Sequence, residues 1–160
     1  MRGYSAVGLF NPKHKENVGA VLRAAGNFGA AMVAYTGNRY SDSTPDTQKM
    51  VRHLPLVHAA DLHELIPFDC VPVAVELLPG AVPLWSYAHP ERAFYVFGAE
   101  DGTLGRNVTD WCRDVIYVPS RHCLNLGACV NVVLYDRTHK RREDYGVRSH
   151  GCAECAEAGR

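Results

Sequence analysis

The stretch Ala93-Phe-Tyr-Val-Phe97-Gly98-Ala99-Glu100-Asp101-Gly102-Thr103-Leu104-Gly105 decides the fold. Ala93 to Phe97 is the most β-rich run of the chain, and it breaks at Gly98 into a loop holding Gly98, Gly102 and Gly105. Aromatic and β-branched side chains suit a pleated, buried surface. Glycines directly after a buried strand let backbone amides and carbonyls approach a ligand. A turn followed by a helix start accounts for the same glycines, because the run is neither a G-x-G-x-x-G fingerprint nor a phosphate loop ending in G-K-[ST].

Working outward, the same punctuation recurs. Ser5 to Phe10 reads as a short buried strand closed by Asn11-Pro12. From Asn17 the period becomes helical, with Val18, Val21, Leu22, Ala25 and Phe28 on one face and Gly29 as the stop. Ala31 to Thr36 reads as strand, and a polar loop runs from Gly37 to about residue 48. Asp61 caps a helix within 59–66, and Val71, Val73, Val75 and Leu77 mark a strand that Pro79-Gly80 ends. A short helix over 107–112, a strand over 115–118 and a long helix from Leu126 to about His139 follow. Strands alternating with helices predict an α/β fold: a parallel sheet covered on both faces. Such sheets bind ligands beyond the carboxyl ends of their strands, so the loops after residues 77, 97 and 118 are expected to share one site.

The 160 residues amount to one domain, with 47% hydrophobic and 21% charged residues, as in ordinary globular proteins. Seventeen basic and seventeen acidic residues leave no net charge, which counts against a nucleic-acid binder, although local clusters can still hold phosphates. No run of roughly 18 apolar residues predicts a membrane span. Met1 leads almost directly into a strand with no signal-like apolar region, and a cytoplasmic location is expected. Cysteines 70, 112, 123, 129, 152 and 155 are then read as reduced.

Two further segments place polar residues where plain packing would do. In Asn17-Val-Gly19-Ala-Val-Leu-Arg23-Ala-Ala-Gly-Asn-Phe28-Gly29, Asn17 is expected as a helix N-cap, and Arg23, taken from this segment alone, reads better as a solvated helix-face charge. In Pro119-Ser-Arg-His-Cys123-Leu124-Asn125-Leu126, Asn125 starts a helix and is at the least an N-cap.

Taken together, the three segments resemble in order and spacing the motifs of the SpoU (TrmH-like) branch of the SPOUT methyltransferases. Those motifs are an N-x-G-x-x-x-R-x-A-x-x-F-G helix, an F-G-x-E-x-x-G loop and a final (I/V)-P…S-(L/M)-N…V-x-L-Y segment. Here they read Asn17 to Gly29, Phe97-Gly98-Ala99-Glu100, and Val118-Pro119 through Cys123-Leu124-Asn125 to Val132-Val133-Leu134-Tyr135. The resemblance spans about residues 5–139. Cys123 stands where the family usually has serine, Thr103 stands where it has glycine, and the loop from Pro119 to Asn125 is about three residues shorter.

The resemblance implies a parallel-sheet SPOUT fold with helices on both faces and a C-terminal deep trefoil knot. The methyltransferase domain would cover 1–140, and the stretch over 141–160, which loses apolar periodicity, is expected as a mobile tail. The resemblance also implies an S-adenosylmethionine-dependent RNA ribose 2′-O-methyltransferase, acting on transfer RNA by analogy with minimal family members, as a homodimer with a composite site. The catalytic set would be Arg23, Asn17, Glu100 and Asn125, with Asp101 a weaker candidate. Val75, Gly98, Val118, Cys123 and Leu124 would bind the cofactor. Lys13, His14, Lys15 and the run Arg137, Lys140, Arg141, Arg142 would face RNA, their alternative being a solvated face.

Ribosomal RNA as substrate, a family member acting on a base, a catalytically silent dimeric RNA-binding module and a generic nucleotide-binding protein are the rival readings. The last lacks either phosphate-loop signature. His150-Gly-Cys152-Ala-Glu-Cys155 falls short of a four-ligand zinc set, so no metal is expected.

Overall fold

Successive residues of a strand face opposite sides, and here each side of the central strands carries its own apolar layer. The computed structural model describes residues 3–39 and 53–141. Its strands are β1 (Tyr4–Leu9), β2 (Val33–Tyr35), β3 (Leu56–His58), β4 (Val71–Val75), β5 (Val82–Pro83), β6 (Arg92–Phe97) and β7 (Asp114–Tyr117). Helices α1 (Lys15–Asn27), α2 (Arg106–Thr109) and α3 (Leu126–Arg141) and 3-10 turns at Leu62–Leu65 and Leu84–Ser86 complete the order. The seven strands form one sheet, β3-β2-β1-β6-β4-β7-β5, with every pairing parallel.

Tyr95 and Phe97 of β6 pack toward Val21 and Leu22 of α1 and Val130 and Leu134 of α3. Phe94 and Val96 point the other way, toward Leu62 and Val108. Strands buried on both faces read as continuous apolar runs, which is why Ala93–Phe97 was legible. The sheet grows from β1 to β2 on one side and to β6 on the other. The loops after β1 and β6 therefore diverge, opening a crevice at their carboxyl ends.

Helix α1 stops as its sequence predicts, with Gly29 in the left-handed region at φ 65° just past the cap residue Phe28. It crosses α3 closely: a Cβ built on Gly127 would lie 2.6 Å from the Ala20 Cβ. The lower end of α3 is held by polar contacts. Arg137 is only 1% exposed, and its guanidinium donates to the carbonyls of Pro90 (2.6 Å), Glu91 (2.8 Å) and Tyr4 (3.3 Å). Beside it, the buried His89 ring meets the Tyr95 hydroxyl at 2.6 Å and the Asp136 carboxylate at 2.8 Å. Burial pushes the His89 pKa down, against the pull of Asp136.

These contacts correct one expectation. Arg137 does not face RNA, because it lies inside, where backbone carbonyls of the strand entrances accept from its two terminal nitrogens. Lys140 donates to the carbonyls of Leu84 and Tyr87 and pairs with Asp136, and Arg141 donates to the His89 carbonyl. Arg142, the tail over 142–160 with Cys152 and Cys155, and most of the loop after Asn38 lie outside the described residues.

Other differences are local. The helix expected within 59–66 is a single 3-10 turn, capped by Asp61 as predicted (His63 amide to Asp61 carboxylate, 2.9 Å). Pro67 follows at once, and the residue before proline is driven from helical geometry. Strands β3 and β5, of three and two residues, had no sequence signal, since their pairing comes from neighbours already in the sheet. No helix among the described residues is long and apolar enough to cross a membrane.

The α1–α3 crossing generates a test. A Gly127→Val substitution, forcing these helices apart, is expected to lower stability by about 1–3 kcal/mol, the usual cost of overpacking. Urea unfolding measures it, and an unchanged midpoint would contradict the crossing.

Candidate active site

The crevice collects the polar residues of all three motifs. Glu100, three residues past β6, reaches the start of α1. Its carboxylate accepts from the backbone amides of Lys13 (3.0 Å) and His14 (3.3 Å) and from Asn17 Nδ2 (2.5 Å). These are amides that a helix start leaves without internal partners, and the helix cap residue His14 supplies no side-chain cap of its own. Burial alone would raise the Glu100 pKa, but the hydrogen bonds from Asn17 and from its own, the Lys13 and the His14 amides outweigh it and hold the group below its usual range. Glu100 is therefore an anion at neutral pH.

Asn17 continues the chain of contacts. Its Oδ1 accepts from Asn125 Nδ2 at 2.7 Å, and Asn125 Oδ1 accepts from the Gly127 amide at 2.9 Å. Asn125 thus caps α3 and binds α1 with one side chain. Asn17 is not the N-cap that the sequence suggested. The helix begins at Lys15, which frees the Asn17 amide group to join Glu100 to Asn125.

Arg23 stands exposed on α1, six residues beyond Asn17 and so roughly 9 Å further along the axis. The Glu100–Asn17–Asn125 hydrogen bonds come together without it. Asp101 pairs with Arg39 at 2.7 Å and Lys13 at 3.2 Å, and these partners, Arg39 foremost, hold its carboxyl far below the usual carboxylate range. Lys13 and Lys15 are exposed beside this crevice, whereas Arg141 lies at the far end of α3.

Next to the crevice, between the ends of β4 and β7, is a cavity of about 420 Å³, within the range of small-molecule and cofactor sites. Val75, Val118, Cys123 and Leu124, named from the sequence, line it together with Glu76 and Cys129. Gly98 sits at its border: a Cβ there would lie 3.4 Å from Glu76 Oε2. Sequence reasoning passed over Glu76, although a carboxylate directly after a buried strand, between Val75 and Leu77, was the signal. It also passed over Cys129, whose thiol burial and the nearby Glu76 carboxylate push up to about 11. Among the described residues no cluster of three or more His, Cys, Asp and Glu is placed to hold a metal.

Comparison with known proteins accords with this geometry. The model of the SpoU rRNA methylase family matches residues 5–135. In solved structures the fold is similar to the SpoU methyltransferase AviRb from Streptomyces viridochromogenes, at 17% identity over 89% of this chain and 61% of that one, with a TM-score of 0.79. AviRb is also solved in complex with AdoMet. The A. aeolicus TrmH/SpoU tRNA modifying enzyme matches at 17% identity over 88% of this chain and 77% of that one, TM-score 0.76. A structure addressing 2-OH methylation of C/U34 on tRNA matches at 20% identity over 89% and 94%, TM-score 0.75. The chain spans about three fifths of the length of AviRb. No curated protein sequence matches it.

The shared acceptor can be tested by pH. A carboxyl whose pKa is depressed on folding adds stability above its unfolded value, about 4.3, and loses it as the pH falls through the lower folded value. Glu100→Gln is therefore expected to melt below wild type at pH 7, with the gap closing in acid below about pH 4.3. A gap independent of pH would rule out an ionised Glu100.

Proposed function

The chain belongs to the SpoU rRNA methylase family, and from that membership we propose that it is an S-adenosylmethionine-dependent RNA ribose 2′-O-methyltransferase acting on transfer RNA in the cytoplasm. The observation that carries this reading is the hydrogen-bonded Glu100–Asn17–Asn125 set beside the cavity between β4 and β7. One residue from each of the three separated motifs meets the others there.

The residues present suit the cofactor. Val75, Val118 and Leu124 offer apolar walls and Glu76 a carboxylate. S-Adenosylmethionine, when bound, supplies an electrophilic methyl whose transfer neutralises a sulfonium, so an apolar pocket does not penalise the transition state. Cys123 and Gly98 complete the proposed cofactor set. Asn17, Glu100 and Asn125 hold the ends of α1 and α3 and the β6 loop in one geometry, and fixed positioning of this kind lowers a barrier by several kcal/mol.

Arg23 is assigned the RNA. A guanidinium is effectively never deprotonated in a protein, so its role is to bind the phosphate next to the target ribose and ease loss of the 2′-hydroxyl proton through its positive charge. Its exposed position on α1 supports a composite site in a homodimer, with Arg23 of the partner subunit completing the crevice. The α1–α3 face favours such pairing, because Val132 and Tyr135 (60% exposed) lie open on α3 and Tyr135 meets the Phe28 ring edge-on at 6.2 Å. The trefoil knot belongs to the same reading. The chain leaves β7, which lies between β4 and β5, passes to Asn17 on α1 and returns along α3 to Leu84 and Tyr87.

Incubating the protein with methyl-labelled cofactor and total RNA, then mapping the product with nucleases, tests the proposal. Label is expected on one ribose of transfer RNA, and Arg23→Ala is expected to lower the rate by about 10²–10³-fold, as loss of a positioned charge-stabilising donor does. Label on ribosomal RNA instead would move the substrate, and full activity of Arg23→Ala would remove the arginine from the chemistry. Lys13, Lys15 and Arg141, with Arg142, are assigned the RNA backbone. Changing the first three to alanine is expected to flatten the salt dependence of RNA binding by up to about one unit of slope per lost phosphate contact, as read by filter binding across salt concentrations.

A further inference from the structure

Among the described residues that line the cavity, Glu76 carries the one carboxylate. Both of its oxygens are held. Oε1 accepts from the Leu77 amide at 3.0 Å, and Oε2 accepts from the Leu104 amide at 2.8 Å. Leu104 belongs to the same loop as Glu100, so Glu76 sits where the cavity meets the crevice. Two observations place its charge toward the cavity. Glu76 itself lines the cavity, and its charge raises the pKa of Cys129, another residue of the lining.

A methyl donor held in this cavity would present its sulfonium toward the Glu100 side if the RNA hydroxyl enters by the proposed crevice. The sulfonium then lies on the Glu76 side of the cavity. The product thioether differs from the donor at that atom by one methyl and one positive charge. We infer that Glu76 is the residue that lets this protein prefer its positively charged cofactor to the neutral product, by setting a fixed negative charge beside the sulfonium. Fixing that charge with two backbone amides means it does not reorganise between the two ligands. It favours the cation before transfer and loses that partner afterwards, so it raises affinity for the donor and not for the product, and because it stabilises the charged ground state it does not accelerate methyl transfer.

This inference rests on the cofactor assignment above, and the test separates the two. Calorimetric titration, without RNA, of S-adenosylmethionine and S-adenosylhomocysteine is carried out on wild type, Glu76→Gln and Glu76→Asp. Glu76→Gln is expected to weaken S-adenosylmethionine about tenfold while changing S-adenosylhomocysteine by less than about twofold, the difference one nearby charge makes in a partly wet site. Glu76→Asp, which keeps the charge, is expected to hold the ratio of the two affinities closer to wild type. A ratio unchanged in Glu76→Gln, or an equal loss of both ligands, would reduce Glu76 to a pin between loops and overturn the inference while leaving the cofactor assignment intact. Wild type that binds neither ligand would overturn both.

Discussion

One carboxylate holds the working end of this molecule together. Glu100 accepts hydrogen bonds from residues 83 to 87 positions earlier in the chain, two of them backbone amides at the entrance to α1. Those amides need an acceptor wherever the helix begins, and the helix dipole favours an anion there. Because the acceptor comes from the β6 loop and not from α1 itself, satisfying the helix also fixes the β1 loop against the β6 loop. Asn17 then extends the bond to Asn125, the cap of α3. The residues that read as a catalytic signature are thus also the joints of three loops, and removing one disturbs the positions of the others.

Helix α3 links this end to a second polar cluster. At its start Asn125 binds α1. Near its end Arg137 is buried against carbonyls at the entrances of β1 and β6, with His89, Tyr95 and Asp136 alongside. A buried guanidinium is costly unless it is hydrogen-bonded, and carbonyls supply acceptors without requiring a second buried charge. Arg137 and Lys140 therefore serve to hold the helix down. That division leaves the carboxyl ends of β1, β4, β6 and β7 for ligands and their entrances for structure. It is the usual economy of an open parallel sheet, and it gives Glu76, at the exit of β4, a position from which its charge acts on whatever fills the cavity.

How much of this could be read beforehand varied with the physical origin of each feature. The strand Ala93–Phe97 and the glycines after it were legible because burial on both faces leaves an unbroken apolar run. The faces of α1 and α3 were legible from their spacing. The three motifs were legible as a set, since a match in order and spacing over most of the chain is far more specific than any loop alone. Strands β3 and β5 were not, because two or three residues at a sheet edge take their conformation from the strand beside them.

The sequence by itself determined the class of fold, the family and the polar residues that converge, because apolar periodicity and motif spacing are written along the chain. Only the tertiary structure decided which partner each polar group takes: Asn17 as a bridge and not a cap, Arg137 as a buried clamp and not an open cation, Glu76 as the lone carboxylate among the described residues that line the cavity. Hydrogen bonds and charges act over a few ångströms in space. When the partners are some 80 to 130 residues apart in sequence, no local pattern records the pairing.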